Sequence, residues 1–190
     1  MGLNVAPPTI TGELRRKGLS DPATIREMEH HAIEKALEWF YFKPFTAEEV
    51  LKEDFIKFVH KKMFGTVWKQ AGQFRQREQS PGCRWTNIGI QLRQLHADAL
   101  DRFTNATYPP TEQAVRYMHG LMTICCFEHG NGRHARFMAD LMVTKLFGEA
   151  PLTWGRLQNT SADDLRSHYT ACLEAADCND YEPLIRFSRS

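Results

Sequence analysis

The sequence has no CxxC pair, no apolar run long enough to span a bilayer, no internal repeat, no low-complexity stretch and no excess of one charge. Each absence removes a class. Five cysteines, Cys83, Cys125, Cys126, Cys172 and Cys178, are an odd number in a chain of 190 residues, which can fold without staples. Reduced thiols and a cytoplasmic setting are therefore expected. The first residues, MGLNVAPPTITGELRRKG, hold no apolar core of a secretion signal, and Ala6 stands where a myristoylation signal requires Ser or Thr. No membrane contact is expected. With 24 Lys and Arg against 23 Asp and Glu, the net charge of +1 supplies no basic field for nucleic acid. The local groups Arg15-Arg16-Lys17 and Arg75, Arg77 and Arg84 around Trp85 read as solvated faces.

What the chain does have is helical periodicity. After Asp21-Pro22, an N-cap followed by proline, the apolar residues Ile25, Met28, Ile33, Leu37, Phe40 and Tyr41 recur at helical spacing until Lys43-Pro44 stops them. Thr46 and Glu49 form a capping box ahead of Val50, Phe55, Phe58, Val59 and Met63. Phe64 to Trp85 carries Gly65, Gly72, Pro81 and Gly82 and reads as a loop or small hairpin. Thr86 to Asn105 is helical again, with Ile90, Leu92, Leu95, Ala99, Leu100 and Phe103 apolar. Thr111 then caps a helix carrying Ala114, Val115, Met118, Leu121, Met122 and Cys125. A further helix runs to Gly148, another follows Ser161 through Ala176, and a short tail spans Tyr181 to Phe187. The fold class is all-α with a small β-hairpin at most.

Between two of these helices lies CCFEHGNGRHAR, Cys125 to Arg136. Gly130-Asn131-Gly132 admits the positive φ angles that most residues resist, so backbone amides can turn inward. A helix starts at once, adding unpaired N–H groups and a positive dipole end. Arg133 and Arg136, three residues apart, add bidentate phosphate donors. Gly130, Asn131, Gly132, Arg133 and Arg136 are thus the candidate phosphate and nucleotide contacts. A bare helix–helix turn with two solvated arginines is the competing reading of the same residues. A zinc site from Cys125, Cys126, His129 and His134 is disfavoured, because adjacent helical side chains diverge by about 100°.

The string resembles the signature of the Fic (Fido) family, His-Pro-Phe-x-Asp/Glu-Gly-Asn-Gly-Arg-x-x-Arg, matched by Phe127, Gly130, Asn131, Gly132, Arg133 and Arg136. FVHKKMFGTVWKQAGQFR, TYPP, GRHARFMADLMV and PLTWG extend the likeness over residues 20 to 187, most closely to a small bacterial branch called mobile mystery protein B. The resemblance implies a Fic domain over residues 20–190, preceded by an N-terminal segment, residues 1–19. It also implies transfer of AMP from ATP to a target-protein hydroxyl, with Mg²⁺. A flap hairpin within Phe74 to Trp85 would dock the target or partner protein by strand addition.

The chain departs from that pattern where the chemistry is done. Cys125 holds the position of the general-base His and Cys126 that of Pro. His129 holds the position of the metal-binding acid, with Glu128 adjacent. Losing a positioned base costs roughly 10²–10⁴-fold in rate, while binding survives. A Ser/Thr-x-x-x-Glu inhibitory motif near the N-terminus is also degenerate: Glu13 and Lys17 take its key positions when Gly18-Leu19 is aligned, and Thr9 to Glu13 is a weaker match. Two readings follow: a nucleotidyltransferase scaffold with lost or weak activity that still binds nucleotide, or a non-enzymatic nucleotide- or protein-binding module.

Overall fold

The computed structural model describes residues 13–15 and 21–190, and its architecture is all-α. The candidate inhibitory positions Thr9 and Lys17 lie outside the described residues. Helix α1 (Pro22–Tyr41) starts where Asp21 accepts from the amides of Ala23 and Thr24. It buries Ile25, Ala32, Ala36 and Phe40, a spacing of seven and four that makes one helical face. Its partner is α3 (Glu53–Phe64), which presents Ile56, Val59 and Met63. Between them the Thr46–Glu49 capping box is present but opens only a single turn, α2 (Ala47–Val50). The apolar stripe predicted as one helix therefore breaks at Leu51 and Lys52, whose backbone leaves the helical region before α3 restarts.

A 3-10 turn (Trp85–Asn87) leads into α4 (Ile88–Thr104), followed by α5 (Pro110–Ile124) and α6 (Asn131–Leu141), which runs on into a π-helical turn (Met142–Leu146). α5 is the central element, packing on α4, α6 and the C-terminal helix, and Ala114, Val115, Tyr117 and Met118 are fully buried. The last helices are α7 (Ala162–Asp177), capped by the Ser161 hydroxyl as predicted, and α8 (Glu182–Ser188). His119 on α5 ties them down through Asp177 at 2.9 Å and the Tyr181 hydroxyl at 3.1 Å.

Three expectations need correction. Thr111 does not cap α5: Pro109 stands at the N-cap and the Thr111 hydroxyl instead accepts from Arg189. Ile90 faces solvent, because the buried side of α4 runs through Ile88, Leu92, His96 and Ala99. The segment from Phe74 to Trp85 forms no paired strand among the described residues; the one bridge is Leu14 against Trp68.

Candidate functional site

The loop from Cys125 to Gly130 joins α5 to α6, and both of its ends are left-handed, Cys125 at φ 54° and Gly130 at φ 72°. Gly130 is fixed by more than its φ. A Cβ there would lie 2.5 Å from Phe64 Cζ, so α3 packs directly on the glycine. Asn131 and Gly132, expected to share the unusual backbone, are instead the first helical residues of α6. Asn131 closes the loop with its side chain, accepting from the Phe127 amide at 2.9 Å and donating to the Phe127 carbonyl at 2.6 Å.

No side chain caps α6, so among the described residues the N–H groups of Asn131, Gly132 and Arg133 have no acceptor. Three free amides and the dipole end converge over Gly132, where a Cβ would meet nothing within 4 Å. That space and those donors fit a phosphate group. Arg133 extends toward α1 and α3, with Nη1 2.9 Å from Glu29 and the guanidinium 4.9 Å from the Phe64 ring. Arg136 extends toward α7, 5.3 Å from the Tyr169 ring, and has no carboxylate partner among the described residues.

The other half of the loop is closed. Arg75, read from the sequence as part of a solvated basic face, is 1% exposed. Its guanidinium donates to the carbonyls of Cys125 at 2.7 Å, Ile124 at 3.3 Å, Arg77 at 2.8 Å and Cys83. Two of these are C-terminal carbonyls of α5 that the helix itself leaves unpaired, which is why a buried cation is stable there without a carboxylate. The Arg75 amide also donates to Cys126 and that of Cys83 to Ile124, so the flap is strapped to the loop at both limbs. Arg77 completes the strap, meeting Glu128 at 2.7 Å.

Cys125 lies beneath this strap. A Cβ on Gly82 would be 3.1 Å from Cys125 Cβ, so the flap backbone rests on the cysteine. Burial pushes its thiol up to about 11, and it raises the Cys126 thiol further. Burial favours the protonated thiol at both positions, which weakens either as a base or nucleophile near neutral pH. The His129 side of the loop is closed as well. The His129 ring leans on Trp68 at 4.3 Å, its Nε2 is buried without a partner, and burial lowers its pKa. Glu128 is engaged by Arg77, and no cluster of three metal-ligating side chains exists among the described residues. Mg²⁺ requires oxygen ligands, and this donor set does not fit it.

The histidines near the loop are structural. His60 Nδ1 accepts from the Gly72 amide at 3.0 Å, so Nε2 carries the proton and donates to the His129 carbonyl at 2.9 Å. The ring stacks on Phe127 at 3.8 Å, and burial holds its pKa well below the ordinary value. His134 donates to the Ile56 carbonyl at 3.0 Å and is likewise depressed, to about 4.

Sequence reasoning missed three contributors: Arg75, His60 as the loop's support, and Glu29. The last was readable. Glu29 falls on the apolar face of α1 between Ile25 and Ala32, where a carboxylate demands a partner.

A family model described as the Fic/DOC family matches residues 50–143. No curated protein matches the chain. Among solved structures, the Bartonella tribocorum protein BepC with bound AMPPNP is similar at TM-score 0.70 and 16% identity, over 95% of this chain and 91% of that one. The N-terminal Fic domain of a VirB-translocated Bep effector protein from Bartonella quintana, with bound ADP, gives 0.69 and 14% over 93% and 88%. Fic-1 (residues 134–508) of C. elegans gives 0.69 and 22%, over 92% of this chain and 50% of that one. At these identities the likeness establishes a shared fold.

Proposed function

Residues 50–143 belong to the Fic/DOC family, and from that premise we propose that the chain is a Fic scaffold that binds a nucleotide through its phosphates but has lost AMP transfer. One observation carries the reading. The residue in the base position is Cys125, 5% exposed beneath the flap with its thiol held protonated. A target hydroxyl would find no proton acceptor there. The binding half is intact: three free α6 amides, the open space over Gly132, and Arg133 and Arg136 on either side. Relatives of the same fold hold AMPPNP and ADP, which supports a nucleoside di- or triphosphate as the ligand.

The chain's own residues would divide the work. The amides and Arg136 attract the phosphate charge, Arg133 orients it, and Asn131 keeps the loop in shape. All five cysteines are free, in keeping with the reducing cytoplasm in which we place it. Calorimetry with ATP and ADP in the absence of Mg²⁺ tests the reading. Binding by the parent that Arg136→Ala weakens roughly tenfold is expected, from loss of a charge-assisted contact. No binding by the parent would overturn it.

A second reading, docking of a partner protein at the flap, is favoured by one feature. A groove of about 470 Å³ runs beside the flap, lined by Lys57, Phe74, Gln76, Trp85 and Thr86. Trp85, 42% exposed, would be its anchor. Strand addition to the inner limb has no free amides at Arg75 and Cys83, so such a partner would bind through side chains.

A further inference from the structure

We propose that Glu29 is a positioning residue for Arg133, a role that rests on the phosphate reading above and goes beyond it. Glu29 is 5% exposed on a helix face otherwise made of Ile25, Ala32, Ala36 and Phe40. A carboxylate in that setting persists only if its oxygens are met. Both are. Oε1 accepts from the Trp68 indole N–H at 2.6 Å, and Oε2 faces Arg133 Nη1 at 2.9 Å. Trp68 is itself fixed, its backbone bridged to Leu14 and its ring against His129.

Arg133 is therefore held at Nη1 by a carboxylate that Trp68 also anchors and on one face by the Phe64 ring, while its side chain remains 38% exposed. The guanidinium has five N–H donors in a rigid fork, and Glu29 uses one edge of it. The donors left over point from a fixed plane at the start of α6. Arg136, three residues on, forms no ion pair within salt-bridge distance among the described residues; it lies against Tyr169 and is close enough to Asp140 to act on it electrostatically.

The two arginines thus differ in task. The Arg133–Glu29 pair is neutral overall and contributes direction. Arg136, outside any close ion pair, contributes the charge that draws an anion in. A flexible arginine at position 133 would lose rotamer freedom on every binding event, and the pair removes that cost beforehand.

Two measurements test this. Nitrogen-15 NMR of arginine side chains in the ligand-free parent should show hindered rotation of the Arg133 guanidinium, lost in Glu29→Gln, which keeps an oxygen for Trp68 but removes the charge. Calorimetry with inorganic pyrophosphate should show Glu29→Gln binding about tenfold more weakly than the parent. The double variant Glu29→Gln/Arg133→Ala should bind no more weakly than Arg133→Ala alone, since the two act as one unit. Tighter binding by Glu29→Gln would show that Glu29 competes with the anion and would overturn the role while leaving the phosphate reading standing. A freely rotating Arg133 in the parent, or additive losses in the double variant, would overturn it as well. A parent that binds no pyrophosphate would sink the phosphate reading itself and leave Glu29 a structural ion pair.

Discussion

Arg75 donates from Nε to the carbonyl of Cys125 at 2.7 Å, and this bond ties the flap to the residue standing in the family's base position. The Arg75 side chain is the largest fully buried one among the described residues, and its guanidinium donates to carbonyls. Removing it withdraws a donor from four carbonyls, of which Ile124 alone keeps another, the Cys83 amide. Arg75→Met should destabilise the fold by about 3 kcal/mol or more, measured by denaturant unfolding. Amide exchange should quicken at residues 75 and 83, whose N–H groups hold the strap. A loss below about 1 kcal/mol would mean that the strap is dispensable.

The two loop glycines should respond in opposite ways. Gly130→Ala meets Phe64 at 2.5 Å on a backbone at φ 72°, and should cost roughly 2–4 kcal/mol. Gly132→Ala meets nothing within 4 Å in the first turn of α6. It should leave stability equal or raised by up to about 1 kcal/mol, yet weaken pyrophosphate binding by occupying the space above the amides. Calorimetry and thermal unfolding of the pair separate the two effects.

Acid should unfold the protein through buried histidines. His96 and His134 are depressed to about 4 and His60 well below its ordinary value, all chiefly by burial. A depressed histidine contributes stability that is complete above about pH 6.5 and is lost as pH falls toward its folded value. His96 and His134 each contribute up to roughly 3 kcal/mol. His96→Phe should flatten the stability profile between pH 6.5 and 4 by about one proton, because the His96 Nε2 has no partner to lose. An unchanged slope would contradict this.

Asp140 works in the opposite sense. Burial raises its carboxyl to about 6, although Trp154 Nε1 and the Leu152 amide both donate to it. The folded state therefore favours its proton, and its contribution declines as pH rises from the ordinary aspartate value to about 6. Asp140→Asn keeps the accepting oxygen and sheds the charge. It should match or exceed the parent at pH 7.5, by up to roughly 3 kcal/mol, with the gain gone near pH 4. Destabilisation at pH 7.5 beyond about 1 kcal/mol would contradict the assignment.

Much of this was legible because local signals and global packing agree. Asp21, Ser161 and the Thr46–Glu49 box announce helix starts that the structure keeps, and the apolar spacing of α5 marks its buried face; on α1 it holds for Ile25 and Phe40, while Leu37 and Tyr41 face solvent and Ala32 and Ala36 are buried instead. The left-handed turn at Gly130 and the helix that starts after it were equally plain, since glycine spacing and a following helix are local properties. What stayed hidden depends on distant partners. Arg75 looks like surface charge until α5 brings its C-terminal carbonyls to it, and Glu29 acquires its meaning only from Trp68 and Arg133, 39 residues away for the first. Leu51 and Lys52 break a helix that periodicity alone would continue. Ile90 shows the converse, an apolar residue left outside because α4 has no neighbour on that side.

On the proposed function, nucleotide is held without being used, because the buried Cys125 thiol keeps its proton. Transfer of labelled AMP from ATP, followed in the parent and in Cys125→Ala with ATP binding measured alongside, tests it most directly. ATP binding by both proteins and transfer by neither are expected. Transfer by the parent that disappears in Cys125→Ala would contradict it, for the buried thiol would then be the working group.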